Sequence, residues 1–113
     1  MSEARREALL WVAQRASAAV LAVCVAVHLA TMIYAVQGGL SAAEILGRTR
    51  GNIGWLAFYA LFVVAAAVHA PLGLRAVLAE WFGWRGRACD AALAAFAAVV
   101  AAAGMRAVVA VFV

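Results

Sequence analysis

Two histidines, His28 and His69, are the strongly ligating side chains inside the long apolar runs of this sequence. An imidazole in hydrocarbon is costly unless it has a partner, so each is either a functional group or part of an interhelical hydrogen bond. The apolar runs contain no acidic residue, and zinc requires roughly four ligands. Haem iron, in contrast, takes neutral imidazole as an axial ligand. The pair therefore favours haem iron coordinated by His28 and His69.

Small residues surround His69 on its helix face. Ala65 and Gly73 lie four residues before and after the histidine, and Ala66 lies three before it. Residues at these spacings share one face of an α-helix, so a flat porphyrin could approach the backbone there. The same pattern is also typical of helix-packing surfaces in membranes. Both interpretations place His69 in a bundle of helices.

Helices that cross a membrane are expected to position these side chains. Of the 113 residues, 70% are hydrophobic and 12% are charged, whereas a soluble domain is about half apolar and about a quarter charged. Three apolar runs cover approximately residues 16–36, 55–74 and 91–113, each near the ~20 residues that a helix needs to cross the hydrocarbon core. The alternating pattern of a transmembrane strand is absent. The sequence predicts an all-α integral membrane bundle of three transmembrane helices in a single domain.

The segments between the spans contain glycines, arginines and aromatic residues. In the first connector, residues 37–52, Ser41 and Glu44 have the spacing of a capping box, which predicts a short helix. The second connector, residues 75–90, carries aromatic side chains typical of the membrane interface, namely Trp81, Phe82 and Trp84. Cys24 lies inside the first span and Cys89 in the second connector, so we expect no disulfide between them.

The N-terminal segment contains Glu3, Arg5, Arg6 and Glu7 before the first apolar run. This pattern predicts a short amphipathic helix at the membrane interface. A cleaved signal peptide is not expected, because no cleavage site of the A-x-A type follows a short apolar core.

The positions of the arginines predict the orientation of the chain. The first connector holds Arg48 and Arg50, with Arg106 near the same face, whereas the N-terminal side and the second connector together hold Arg5, Arg6, Arg15, Arg75, Arg85 and Arg87. The positive-inside rule then places the N-terminus in the cytoplasm and the C-terminus outside. Because the arginines flank apolar runs, we interpret them as membrane anchors and expect no nucleic-acid partner.

The two histidines are expected at different depths. His28 lies eight residues from the outer end of the first span and His69 about fourteen from the outer end of the second, which gives an offset of ~9 Å at ~1.5 Å per residue. Tilted helices could absorb part of this offset and allow one shared haem. The simpler arrangement gives each histidine its own iron, with the opposite ligand supplied by another subunit.

Two short motifs resemble those of a known family. The segment His69-Ala70-Pro71-Leu72-Gly73-Leu74-Arg75 is similar to the H-x-x-x-G-[IL]-R signature in the second transmembrane helix of cytochrome b anchor subunits of succinate dehydrogenase. Gln14-Arg15-Ala16-Ser17-Ala18 is similar to their H-R-x-S-G motif, with Gln14 in place of histidine and Ala18 in place of glycine. Ala76 and Glu80 stand where the family often has histidine and aspartate. The resemblance covers nearly the whole chain.

The resemblance implies a haem b anchor in a bacterial cytoplasmic membrane. Its partners would be a flavoprotein subunit, an iron–sulfur subunit and a second membrane-anchor subunit or second copy, and its electron acceptor ubiquinone or menaquinone. His69 would be an axial ligand, and His28 resembles the additional ligand of two-haem anchors. Arg15 would meet quinone or a haem propionate, with Trp11 four residues earlier on the same face.

Other residues of the motifs are further candidates for cofactor binding. Arg75 would pair with a propionate or contact lipid phosphate. Ser17 lies about 200° around the helix from Arg15, which places it on the face of His28. Arg15 itself could instead be a snorkelling arginine that only marks topology.

Three functions remain open from the sequence. The first is the haem b anchor of succinate dehydrogenase or of the related fumarate reductase. The second is a haem b subunit of another respiratory enzyme, such as a hydrogenase, although such subunits usually have more spans. The third is a cofactor-free small membrane protein, such as a transporter. Proton-coupled multidrug transporters need an intramembrane carboxylate, and the acidic residues here all lie outside the spans.

Overall fold

The chain folds entirely into helices and short connectors. A computed structural model describes residues 1–113 and contains four α-helices: α1 (Glu3–Gln37), α2 (Ala42–Thr49), α3 (Ile53–Phe82) and α4 (Arg87–Phe112). By length and composition, α1, α3 and α4 are able to cross a membrane. This confirms the predicted all-α fold with three spans.

The N-terminal segment is helical, as predicted, but it continues into the first span without a break. The hydroxyl of Ser2 accepts a hydrogen bond from the backbone N–H of Arg5 (3.2 Å) and so caps the first turn of α1. No glycine or proline interrupts the sequence before Gln37. With 35 residues, α1 is about 52 Å long, so it extends well beyond a hydrocarbon core of about 30 Å.

Helix α3 also extends further than its predicted span. It begins at a cap in which the Asn52 side chain accepts from the N–H of Trp55 (3.2 Å), and it ends at Gly83, whose φ of 63° is left-handed. The second connector is therefore only residues 83–86, because the preceding eight residues contain no helix breaker. Pro71 is accommodated inside the helix, although it leaves one carbonyl of the preceding turn without its usual N–H partner.

The first connector folds over one end of the bundle. Ser41 caps α2 by accepting from the N–H of Glu44 (3.2 Å), and its hydroxyl donates to the Glu44 carboxylate (3.1 Å), as the capping-box spacing predicts. At the last residue of α2, the Thr49 hydroxyl donates to the carbonyl of Val111 (2.8 Å). The N–H of Gly51 donates to the carbonyl of Phe112 (2.9 Å). These bonds fasten the first connector to the C-terminal end of α4.

Ion pairs join the elements at the opposite end. The Arg75 guanidinium lies 3.3 Å from the Glu7 carboxylate, and Arg6 lies 3.6 Å from Asp90. These groups are largely exposed, so each pair contributes little to stability. They do show that the N-terminus and the second connector share one end of the bundle. This end therefore holds the six arginines on which the orientation argument rests, Arg5, Arg6, Arg15, Arg75, Arg85 and Arg87.

Helix α3 occupies the middle of the bundle and packs against both α1 and α4. Only seven of the 113 residues are buried, and both cysteines, Cys24 and Cys89, are among them without being bonded to each other. Most apolar side chains therefore point outward, which suits a chain surrounded by lipid. Helices α3 and α4 approach each other closely at Gly104, where an added Cβ would lie 2.6 Å from a methyl carbon of Val63.

Gly104→Ala is expected to destabilise the packing of α4 on α3 by about 1–3 kcal/mol, because the new methyl group overlaps a β-branched side chain that cannot move aside easily. Gly47→Ala in α2 is the matched control, since its Cβ would meet no atom within 4 Å and the change favours helix by up to about 1 kcal/mol. Titration with sodium dodecyl sulfate, followed by circular dichroism, measures the unfolding midpoints of the two variants. Equal midpoints for the two variants would refute the close approach.

Candidate functional site

His69 lies in α3 at the contact with α1. Its Nδ1 is 3.5 Å from the hydroxyl oxygen of Ser17, and that hydroxyl donates to the backbone carbonyl of Gln14 (3.1 Å). Ser17 is only 7% exposed, whereas the imidazole remains partly accessible. The prediction that Ser17 shares a helix face with His28 holds, since both project from α1 towards α3. The structure adds that the side chain of Ser17 contacts His69.

The small residues around His69 bring α1 close to α3. Ala65 is 6% exposed, and a Cβ added at Gly73 would lie 3.4 Å from the side-chain nitrogen of Gln14. The expectation that Ala65 and Gly73 leave this face open to a porphyrin is therefore not met within the single chain. Helix α1 covers the face because small side chains permit close helix packing in membranes. Only the part of the imidazole that α1 leaves accessible is available to a ligand.

Gln14 stands where the resembling motif has a histidine. Its side-chain oxygen is buried and has no hydrogen-bond partner within the chain. A buried acceptor without a donor is costly, so this carbonyl marks a polar spot beside His69 that another group would satisfy. Sequence inspection noted the departure from the motif and did not assign Gln14 a role. The proximity of Gln14 to His69 becomes visible only in the structure, where the Gln14 side chain lies opposite Gly73 on the His69 face of α3.

Arg75 lies six residues after His69 in α3, and its side chain contacts the N-terminal part of α1. Its ion pair with Glu7 uses one terminal nitrogen of the guanidinium. The remaining N–H groups of this side chain are available to a second anion, since a guanidinium has five donors. The pair is partly exposed, so solvent or a bound carboxylate can compete with Glu7.

Arg15 and Trp11 lie on the outer side of α1, away from His69. The guanidinium carbon of Arg15 is 5.3 Å from the centre of the Trp11 ring, a cation–π contact made possible by their four-residue spacing. Trp11 is 62% exposed, and Arg15 is exposed as well. The buried Ser17 faces the other way, as the predicted angle of about 200° implies. Arg15 and Trp11 are thus exposed together on one face of α1, where no other part of the chain covers them.

His28 lies near the other end of the bundle, beside aromatic side chains of α3. Its ring makes edge contacts with Tyr59 and Phe62, with ring centres 5.9 and 5.7 Å apart. Its Nδ1 is buried and has no hydrogen-bond partner. A cavity of about 610 Å³ adjoins the ring, lined also by Trp55 and Arg48, and its size is within the range of small-molecule and cofactor sites.

The aromatic cluster of α3 beside His28 was not identified from the sequence. Trp55, Phe58, Tyr59 and Phe62 form a continuous set of ring contacts on α3. Their spacing of three and four residues was the available signal, since such residues share a helix face. The sequence alone does not show that this face lies opposite His28, because that depends on the register of α1 against α3.

The two histidines lie at clearly different depths. Ser17 is level with His69 and precedes His28 by eleven residues in the same helix, which corresponds to about 16 Å. Counting along α3 from Tyr59 and Phe62, which contact His28, to His69 gives roughly 10–15 Å. The sequence predicted ~9 Å by assuming that the outer ends of α1 and α3 are level, and the separation is larger because the contact of Ser17 with His69 sets a different register between the two helices. A single iron therefore cannot be coordinated by both histidines of one chain.

The side chains present fit haem better than a protein-bound metal ion. No group of three or more His, Cys, Asp or Glu side chains is placed to hold a metal ion. Haem iron needs from this chain only one imidazole per iron, and a partner can supply the other axial ligand. The partly accessible His69, the unpaired carbonyl of Gln14 and the cation of Arg75 are compatible with such a group.

Three long apolar helices, with a histidine in the middle span and basic residues gathered at one end, define a multi-pass membrane protein. The sequence matches the family of succinate dehydrogenase/fumarate reductase transmembrane subunits over residues 1–111, and the chain belongs to this family. The resemblance inferred from the two short motifs is thereby confirmed. No curated protein and no solved structure gives a significant match.

Proposed function

We propose that the chain is the haem b-binding membrane anchor of a succinate dehydrogenase and that it passes electrons from an iron–sulfur subunit to membrane quinone. The observation that carries the proposal is the position of His69, inside the middle span of a chain that belongs to this family. Its partners would be a flavoprotein subunit, an iron–sulfur subunit and a second anchor subunit or second copy. The arginine-rich end would face the cytoplasm of a bacterium, where the soluble subunits dock.

His69 is proposed as an axial ligand of haem b. Bound haem would supply a one-electron carrier, since its iron alternates between the ferric and ferrous states. Neutral imidazole is the form that ligates haem iron. Arg75 would hold a propionate with the N–H groups that Glu7 does not use.

His28 is proposed as the ligand of a second haem near the other end of the bundle. Its distance of roughly 10–16 Å from His69 along the helices excludes a shared iron. The adjoining cavity and the unpaired Nδ1 support a ligand here. A second subunit would complete both axial pairs, because this chain has no further histidine. The competing assignment is a single haem at His69, with His28 as a packing residue among aromatic rings.

Arg15 and Trp11 are proposed to form one side of a quinone-binding site. The guanidinium of Arg15 is held over the indole ring and keeps its N–H groups free. A cation with several donors suits the carbonyl oxygen of a quinone, whose negative charge rises as it is reduced. The indole N–H of Trp11 is a second donor on the same face.

Arg15→Ala should lower the rate of quinone reduction by succinate about 10- to 100-fold, which corresponds to the loss of a hydrogen bond to a charged group. Oxidation of succinate by a soluble dye should change little, since dye reduction bypasses the quinone. Parallel assays of the purified complex with both acceptors measure the two rates.

Arg5→Ala is the matched control for this test, because Arg5 is an exposed arginine near the same end of α1. It should leave both rates near those of the wild type. Equal losses in both assays for Arg15→Ala would indicate failed assembly, and full activity in both would exclude Arg15 from the quinone site.

Fumarate reductase is the second candidate, because the matched family includes the transmembrane subunits of both enzymes. The two differ in the direction of electron flow through the same kind of anchor. Rates of succinate oxidation by quinone and of fumarate reduction by quinol, measured on one preparation, decide between them. A faster forward rate supports succinate dehydrogenase, and a faster reverse rate supports fumarate reductase.

A further inference from the structure

We propose that Ser17 is a positioning residue that fixes the tautomer of His69 and thereby presents its Nε2 lone pair to iron. The inference rests on the proposed function, since it concerns the histidine assigned there as a haem ligand. Its evidence is independent of that assignment and consists of two hydrogen bonds of one hydroxyl group.

The first hydrogen bond consumes the only proton of the hydroxyl. Ser17 Oγ lies 3.1 Å from the backbone carbonyl of Gln14, three residues earlier in the same helix. A carbonyl oxygen cannot donate, so the hydroxyl must be the donor in this contact. This is the usual bond of a serine or threonine side chain inside a helix.

The second hydrogen bond must then run from the imidazole to Ser17. His69 Nδ1 lies 3.5 Å from the same oxygen, which can only accept once its proton is directed to Gln14. The proton of the neutral ring must therefore reside on Nδ1, and the lone pair on Nε2. The contact is long for a hydrogen bond, and contraction on metal binding would strengthen it, because a ligated imidazole is a better donor.

An imidazole held in this way is prepared for iron. Metal-ligating histidines almost always donate their second N–H to a carbonyl, carboxylate or water, which orients the ring and increases its basicity. Ser17 would supply this acceptor from inside the membrane, where no water competes, since it is only 7% exposed. His28 offers a contrast within the same chain, because its Nδ1 is buried without a partner. Within this chain, His69 therefore has a hydrogen-bond partner that orients its ring, and His28 has none.

Ser17→Ala removes the acceptor with little change in volume. We expect the affinity of the complex for haem at His69 to fall about 10- to 100-fold, as is typical when such an outer partner is lost. We also expect the midpoint potential of that haem to rise, since a less basic imidazole stabilises the ferric state less. A tenfold change in the preference for ferric over ferrous iron corresponds to about 59 mV for one electron.

Ser17→Thr is the conservative variant that should restore the wild-type potential, because threonine can make the same bond to the helix carbonyl and present the same oxygen. Thr31→Val is the matched control. It removes a hydroxyl of α1 that donates to the carbonyl of His28 (2.7 Å), and it should leave the His69 potential unchanged. Redox titration of the purified complex, followed by optical and EPR spectra, gives the midpoint potentials of the wild type and of the three variants.

A wild-type potential and haem affinity in assembled Ser17→Ala would overturn the inference while leaving His69 as a ligand. An equal shift in Ser17→Thr would also overturn it, because the hydroxyl would then have no role beyond packing. The absence of haem from the wild-type complex would instead contradict the proposed function. If Ser17→Ala does not assemble, Ser17→Thr and Ser17→Cys decide, since a thiol is a weaker acceptor and should raise the potential.

Discussion

His69→Ala should remove about one haem per flavin from the assembled complex, together with the low-spin optical and EPR signals of that haem. An axial imidazole cannot be replaced by the methyl group of alanine, and the α1 face opposite His69 offers only the oxygens of Ser17 and Gln14, which are poor ligands for haem iron. Reduced-minus-oxidised spectra and a haem-to-flavin ratio measure the loss.

Two controls separate ligation from general damage to α3. Val68→Ala changes the adjacent residue, which is 39% exposed, and should keep both the haem and its spectrum. Added imidazole should restore part of the low-spin signal in His69→Ala, because a free ligand can occupy the space of the deleted ring. An unchanged spectrum in His69→Ala would remove this histidine as a ligand.

His28→Ala should remove the second haem and leave the His69 haem with an unaltered spectrum. The two sites are separated by roughly 10–16 Å along the helices, so one substitution should not disturb the other iron directly. The ratio of haem to flavin should fall from about two to about one. Val27→Ala, at an exposed neighbouring position, is the control and should keep both haems.

The single-haem alternative gives a different result in the same experiment. If the wild-type complex carries one haem per flavin and His28→Ala retains it with an unaltered spectrum, the second haem does not exist. His28 would then be a packing residue between Tyr59 and Phe62, as its edge contacts with both rings allow. The assignment of His69 would be unaffected.

The three spans and the short helix α2 followed from the sequence because their signals are local. Apolar runs of the required length predict transmembrane helices, and Ser41 with Glu44 predicts the cap that the structure contains. The ends of the helices were harder to predict from the sequence. Helices α1 and α3 continue into polar sequence where the backbone meets no breaker, and hydropathy marks only the part that lies in hydrocarbon.

The candidate site was only partly predictable, because it depends on how α1 is aligned with α3. Sequence periodicity correctly separated the face of Ser17 from that of Arg15. It could not show that Ser17 is level with His69, or that Glu7 reaches Arg75. These contacts join residues 52 and 68 positions apart, and no local pattern specifies such a pairing. The small residues around His69 allowed either a porphyrin or a packed helix, and only the alignment of α1 with α3 shows that α1 packs on this face.

The most direct test of the account is the composition of the complex that purifies with this chain from its own membranes. We expect flavoprotein and iron–sulfur subunits to purify with it, together with haem b whose EPR spectrum shows two axial histidines. The reduced haem should be reoxidised by added quinone. Recovery of the chain with those subunits but without haem would contradict the role of His69, and recovery without them would contradict the proposed function as an anchor of this enzyme.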